Sequence, residues 1–228
     1  MTDDLTATLW PGPAERRRGP RPRLSAAAIT GAAVAVADAE GLDAVSMQRV
    51  AADLGFTKMA LYRHFPGKPE LLGAMLDTAF GPPPAPAGDH WRERLRGWAL
   101  AVAAVFARHP WTVELALGLR VYGPHETAWI EAGLAALDGT GIDGAAALDA
   151  LVLLSGHVRS VVAQTRGGPA DLEAATGAAM AAVLDEHRAT YPRTRAAFAA
   201  ARREGETGRA LEFGVDRILD GLARYAES

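Results

Sequence analysis

The chain contains no cysteine, which excludes disulfides, thiolate metal sites and cysteine nucleophiles and agrees with a reducing compartment. Lysine is nearly absent: of 24 basic side chains only Lys58 and Lys68 are lysines. Runs of alternating β-branched residues are missing, and with them the signature of strands. Long apolar runs are missing too. Ala99 to Ala107 falls well short of the ~20 residues a bilayer requires, and the stretch around Val152 is interrupted by His157 and Arg159. Residues 1–18 open with Asp3 and Asp4 and close with arginines, without an apolar segment ahead of a cleavage site, so they do not read as a signal peptide. The expectation is a soluble, cytoplasmic protein.

What is present is an ordinary globular composition: 228 residues, 49% hydrophobic and 22% charged, enough for one or two domains. The net charge of −3 argues against a chain coated with nucleic acid, yet Arg16, Arg17, Arg18, Arg21 and Arg23 crowd together with no acid among them. Residues 1–23, rich in Pro, Gly and Arg and without hydrophobic period, read as a disordered arm, either a solvated tail or a segment reaching into a minor groove. Residues 24–69 read as a compact helical domain and 70–80 as a connecting helix. Residues 81–88 (GPPPAPAG) form a linker, because proline removes donors and fixes φ. Residues 89–228 carry apolar side chains at helical spacing. The fold class expected is all-α, a small N-terminal three-helix domain followed by a larger all-α domain.

The N-terminal punctuation is explicit. Ser25 suits the cap of a helix through Ile29, Ala33, Val36 and Ala37, stopped by Gly41. Ser46 suits the cap of a short helix carrying Met47, Val50, Ala51 and Leu54. Gly55 permits a tight turn, and a third helix is predicted over Thr57 to Phe65, with Leu61 and Phe65 four apart on one face. Two short helices about a glycine, buttressed by longer ones, make a helix-turn-helix. With Leu61 and Phe65 inward, Thr57, Lys58, Met59, Ala60, Tyr62 and Arg63 face outward. Lys58 and Arg63 suit guanine or phosphate, Met59 and Ala60 a thymine methyl, and the Tyr62 hydroxyl a phosphate. Ser46 and the free amides of its helix suit a phosphate as well. The competing readings are a merely solvated face for Lys58 and Arg63, and partial burial or capping for Tyr62 and His64.

The run GLDAVSMQRVAADLGFTKMALYRHFPGKPELLGAML, Gly41 to Leu76, resembles the DNA-binding domain of TetR-family regulators through Leu54-Gly55-Phe56, Leu61-Tyr62, His64-Phe65, Lys68 and Leu71-Leu72. Phe56 stands where the pattern has a small aliphatic residue. The resemblance implies operator contacts by Gln48, Lys58, Met59, Ala60, Tyr62 and Arg63, with Lys68 on a phosphate. It also implies an all-α domain for ligand binding and dimerisation, and repression relieved by a small molecule. Trp91-x3-Leu95, His109-Pro110-Trp111 and Glu212-Phe213-Gly214 resemble the C-terminal domain of the tetracycline-repressor-like subgroup.

In the second domain Trp98, Phe106, Trp111, Trp129, His157 and Gln164 are candidates for lining an effector pocket suited to an apolar or aromatic molecule. Aromatics at helical spacing equally describe a core. Leu148, Leu151, Val152, Ser155, Val158 and Val162, with Leu211, Val215, Ile218 and Leu222 near the C-terminus, form wide stripes that suit either a two-fold helical interface in a homodimer or burial within one protomer. The histidines share no ligand spacing, and neither a glycine-rich phosphate loop nor a nucleophile elbow occurs, so no catalytic residue, metal or cofactor is expected. The remaining alternative is an adaptor, or a binder of an anionic partner through the arm. The partners expected are double-stranded operator DNA, a small-molecule effector and a second copy of the chain, with no membrane.

Overall fold

The computed structural model describes residues 2–10, 24–118, 120–165, 170–203 and 209–227, and the described residues form α-helices and one 3-10 turn, without strands. The N-terminus departs from the expected arm. Thr2–Leu9 is a helix, α1, because Leu5 and Leu9 lie one turn apart and pack on Gly73. A Cβ on Gly73 would stand 2.8 Å from Leu5 Cδ1, so the glycine is what lets α1 approach. Trp10 follows and donates its indole N–H to the Tyr122 carbonyl at 2.9 Å. The arginine cluster from Arg16 to Arg23 lies outside the described residues.

Ser25 accepts the Ala28 amide and starts α2, Ala26–Glu40, which buries Ile29, Ala33, Val36 and Ala37. Ser46 accepts the Arg49 amide at 3.1 Å and starts α3, Met47–Leu54. Gly55, at φ +71°, makes the left-handed turn into α4, Lys58–Leu61. That helix is shorter than the predicted Thr57 to Phe65. After Leu61 the chain continues in turns, with the His64 and Phe65 amides both bonded back to the Leu61 carbonyl. Leu61 and Phe65 are fully buried as expected. α5, Lys68–Phe80, packs on α2 and α1 and completes the first core.

The 81–88 linker leads to the second core. α6 is Trp91–Arg108, α7 the short Thr112–Leu115, α8 Pro124–Ala136, α9 Gly144–Thr165, α10 Ala170–Glu186, α11 Pro192–Arg203 and α12 Arg209–Ala226. By length and composition alone α9 could cross a membrane; here it is the central helix, packed by α6, α8 and α12. Leu95, Ala99, Val102 and Phe106 meet Leu151, Leu154 and Val158, closed by Val215 and Leu219. On the outer side Arg92 pairs with Asp220, and Arg96 with Asp216 and Glu212, lacing α6 to α12. Each exposed pair contributes well under ~1 kcal/mol, against about 1.5–3 kcal/mol for each fully buried leucine, so apolar contact holds α12 in place. Gly133 sits where α8 crosses α9: a Cβ there would lie 2.8 Å from Leu151 and 3.1 Å from Trp98. Gly133→Val is expected to destabilise the protein by about 2 kcal/mol through overpacking; thermal unfolding followed by circular dichroism reads this.

Candidate nucleic-acid interface

Buried residues of α3 and α4 hold the outward side chains in position. Met47, Val50 and Ala51 are inside, while Ser46 and Gln48 are exposed beside them. On and just after α4, Thr57, Lys58, Arg63 and Tyr62 are exposed, Met59 is 68% exposed and Ala60 half-buried. The Lys58 ammonium lies 5.9 Å from the Tyr62 ring centroid. Lys68 is exposed at the start of α5. All nine predicted DNA-facing residues therefore fall on one motif.

The charges on this motif differ in an informative way. Arg49 is bound by Glu40 at 2.7 Å and by Asp53 at 3.0 Å, and its hydrogen bond holds the Glu40 carboxyl below the usual carboxylate range. Lys58, Arg63 and Lys68 have no ion pair among the described residues. Arg49 is a staple between α2 and α3, whereas the other three present unneutralised positive charge.

Two aspartates connect this domain to the rest. Asp38 on α2 accepts the Trp111 indole N–H at 2.7 Å, and His109 Nδ1 lies 2.8 Å from the same oxygen. Asp77 on α5 is buried and caps α8, accepting the His125 and Glu126 amides at 2.8 and 3.0 Å.

The predicted effector residues divide. Trp98, Phe106 and Trp129 come together: the Trp98 indole donates to the Trp129 carbonyl, the Trp129 indole donates to the Gly81 carbonyl, and Phe80 meets Phe106 and Trp129 edge-on. Trp111 does not join them. Pro110 turns the chain back, and Trp111 is buried in the N-terminal core. His157 packs on Gly214 and contacts the Leu211 carbonyl at 3.1 Å, and Gln164 is exposed and bonded to Ser160. A groove of about 220 Å³ that the sequence did not reveal opens beside Trp98, between residues 84–87 and α6 and α8, with Arg94 on its wall. Its only sequence signal was the Pro-Ala linker itself.

The predicted interface residues divide likewise. Leu151, Val158, Val162 and Val215 are buried within the protomer, because α9 is apolar on both sides and its inner stripe meets α6 and α12. Leu148 and Val152 are 48% and 69% exposed, and Ser155, Leu211, Ile218 and Leu222 are half-buried. Tyr225, at the end of the α12 stripe, is exposed, as are Leu153 and Phe213, which the stripe reading missed.

Comparison with known proteins agrees with this geometry. Residues 29–75 match the bacterial regulatory proteins of the tetR family, and residues 83–225 match the tetracyclin repressor-like C-terminal domain. The chain belongs to the TetR family. Among relatives of this regulator, the HTH-type transcriptional repressor DrrR1 of Streptomyces coeruleorubidus is 35% identical across 94% of the chain and 83% of its own length. An HTH-type transcriptional regulator of Saccharopolyspora erythraea is 29% identical across 99% of the chain and 95% of its own length. Streptomyces coelicolor ActR in complex with actinorhodin superposes with a TM-score of 0.77 at 25% identity, over 87% of this chain and 95% of that one. The TetR-family regulator is thus an all-helical, helix-turn-helix protein of transcription control.

Proposed function

We propose that the protein is a homodimeric repressor that holds a palindromic operator and releases it when a small molecule enters the C-terminal domain. The observation that carries this reading is the positive charge of Lys58 on α4, Arg63 just after it and Lys68 at the start of α5, without an ion pair among the described residues, beside an arginine on the same motif that is fully paired. Ser46, Gln48, Thr57, Met59, Ala60 and Tyr62 complete the DNA contact. Lys68 and Tyr62 go to phosphate, and Lys58 and Arg63 to base edges or phosphate. Such a protein acts where the chromosome lies, in the cytoplasm, and does no chemistry on its ligand.

The dimer forms through the outward faces of α9 and α12, centred on Leu148, Val152 and Leu153 with Phe213 alongside, whose exposure in one protomer is otherwise unfavourable. Two recognition helices then meet half-sites about one DNA turn apart, ~34–36 Å. Binding of an effector reaches α5 through the Trp98–Trp129–Gly81 hydrogen bonds, and Asp38 and Asp77 pass the movement to the DNA-binding domain.

The test couples assembly to operator binding. Leu148→Asp/Val152→Asp is expected to sediment as a monomer and to bind a palindromic operator at least ~100-fold more weakly, since bivalency is lost. A variant that stays dimeric, or a monomer with unchanged affinity, contradicts the reading.

A further inference from the structure

Three arginines on α6 are treated differently. Arg92 and Arg96 face α12 and are paired with Asp220, Asp216 and Glu212. Arg94, between them, faces the other way, onto the groove between the 84–87 segment and α8. Its side chain makes no hydrogen bond or ion pair with any described residue, and its Nε is shut off from solvent with nothing to donate to. The terminal guanidinium nitrogens are not enclosed in this way, and an anion brought into the groove would pair with them.

The rest of the wall is apolar. Pro84, Pro86, Gly97, Trp98, Ala132 and Ala136 surround a space of about 220 Å³, too small for a large polycycle and suited to one or two rings. Small side chains on α8 and the absence of one at Gly97 leave room beside Trp98.

We propose that this groove binds a small, flat aromatic molecule bearing a carboxylate or phenolate, its anion on Arg94 and its ring against Trp98, Ala132 and Ala136. The assignment rests on the reading that the C-terminal domain takes a small effector. It extends that reading by naming the chemical class and the residue that selects it. The site is wired to the connecting helix: Trp98 donates to the Trp129 carbonyl, and Trp129 to the carbonyl of Gly81, directly after α5.

Titration calorimetry of the full chain with 1-naphthoate and with its neutral carboxamide tests the proposal. The acid is expected to bind at least tenfold more tightly than the amide. Arg94→Gln is expected to erase that preference with the circular dichroism spectrum unchanged, and Ala132→Leu, filling the groove from α8, to remove binding of both. Equal affinities for acid and amide, a preference that survives Arg94→Gln, or no heat with either compound would overturn the site. Operator affinity is measured separately. Binding of the acid through Arg94 without weaker operator binding supports the site and counts against the release mechanism; release that survives Arg94→Gln places the effector elsewhere and overturns the site.

Discussion

A Lys58→Ala/Arg63→Ala variant is expected to bind a specific operator about a thousandfold more weakly than the wild type while folding normally. Both side chains are exposed and neither has an ion pair or hydrogen bond among the described residues, so their removal leaves no buried group unsatisfied and changes stability by less than ~0.5 kcal/mol. A bidentate base contact contributes about 1–3 kcal/mol, and each arm of a dimer loses two cations. The salt dependence separates the roles of the two side chains. A lost phosphate contact lowers the slope of log affinity against log salt by ~0.9 per contact and weakens all sequences alike, whereas a lost base contact relaxes preference at one position. Arg49→Ala is the informative control: it breaks the Glu40 and Asp53 pairs and acts on the seating of α3, not on the charge offered to DNA. Fluorescence anisotropy with labelled duplex at several salt concentrations measures all of these.

Asp77→Ala is expected to destabilise the protein by about 3 kcal/mol, a fall in Tm of about 10 °C, and Asp77→Asn to recover most of that loss. The Asp77 carboxylate is buried, and one of its oxygens accepts both the His125 and the Glu126 amides, while His125 Nδ1 lies 3.0 Å from the other. Alanine leaves two N-terminal amides of α8 without an acceptor. Asparagine keeps a carbonyl oxygen for the two amides and gives up the charge and the second oxygen beside His125. Since Asp77 lies on α5, the alanine variant also removes one of the links between α8 and the connecting helix, leaving the Phe80 and Gly81 contacts of Trp129. Its operator affinity is therefore expected to respond less to an effector than that of the wild type, a loss of coupling that calorimetric unfolding alone would not register.

The N-terminal motif was the most legible part of the chain because its signals are local. Ser25 and Ser46 cap helices through amides three residues on, and Gly55 supplies the left-handed turn. Leu61 and Phe65, four apart, both enter the core formed with Ile29, Val50 and Leu71. The outer side of α9 was not legible. Leu151 and Val152 are adjacent and chemically alike, yet one is buried and the other 69% exposed, since only the tertiary placement of α6 and α12 decides which stripe faces in. Trp111 follows α6 in sequence but belongs to the first core, because the turn at Pro110 sends it toward Asp38. Helix α1 was hidden for a related reason: eight residues with two leucines carry little periodicity, and their packing partner, Gly73, lies on a helix far along the chain. The Arg94 groove depends on the linker folding over α6 and α8, a contact that no spacing in the sequence announces.

Selection of binding sites from a random duplex DNA library at physiological salt, with Lys58→Ala/Arg63→Ala in parallel, shows whether this face reads an operator. The wild type alone is expected to enrich a palindrome with half-sites about one helical turn apart. Enrichment of no sequence, or of the same palindrome by the double variant, would contradict operator recognition through this face.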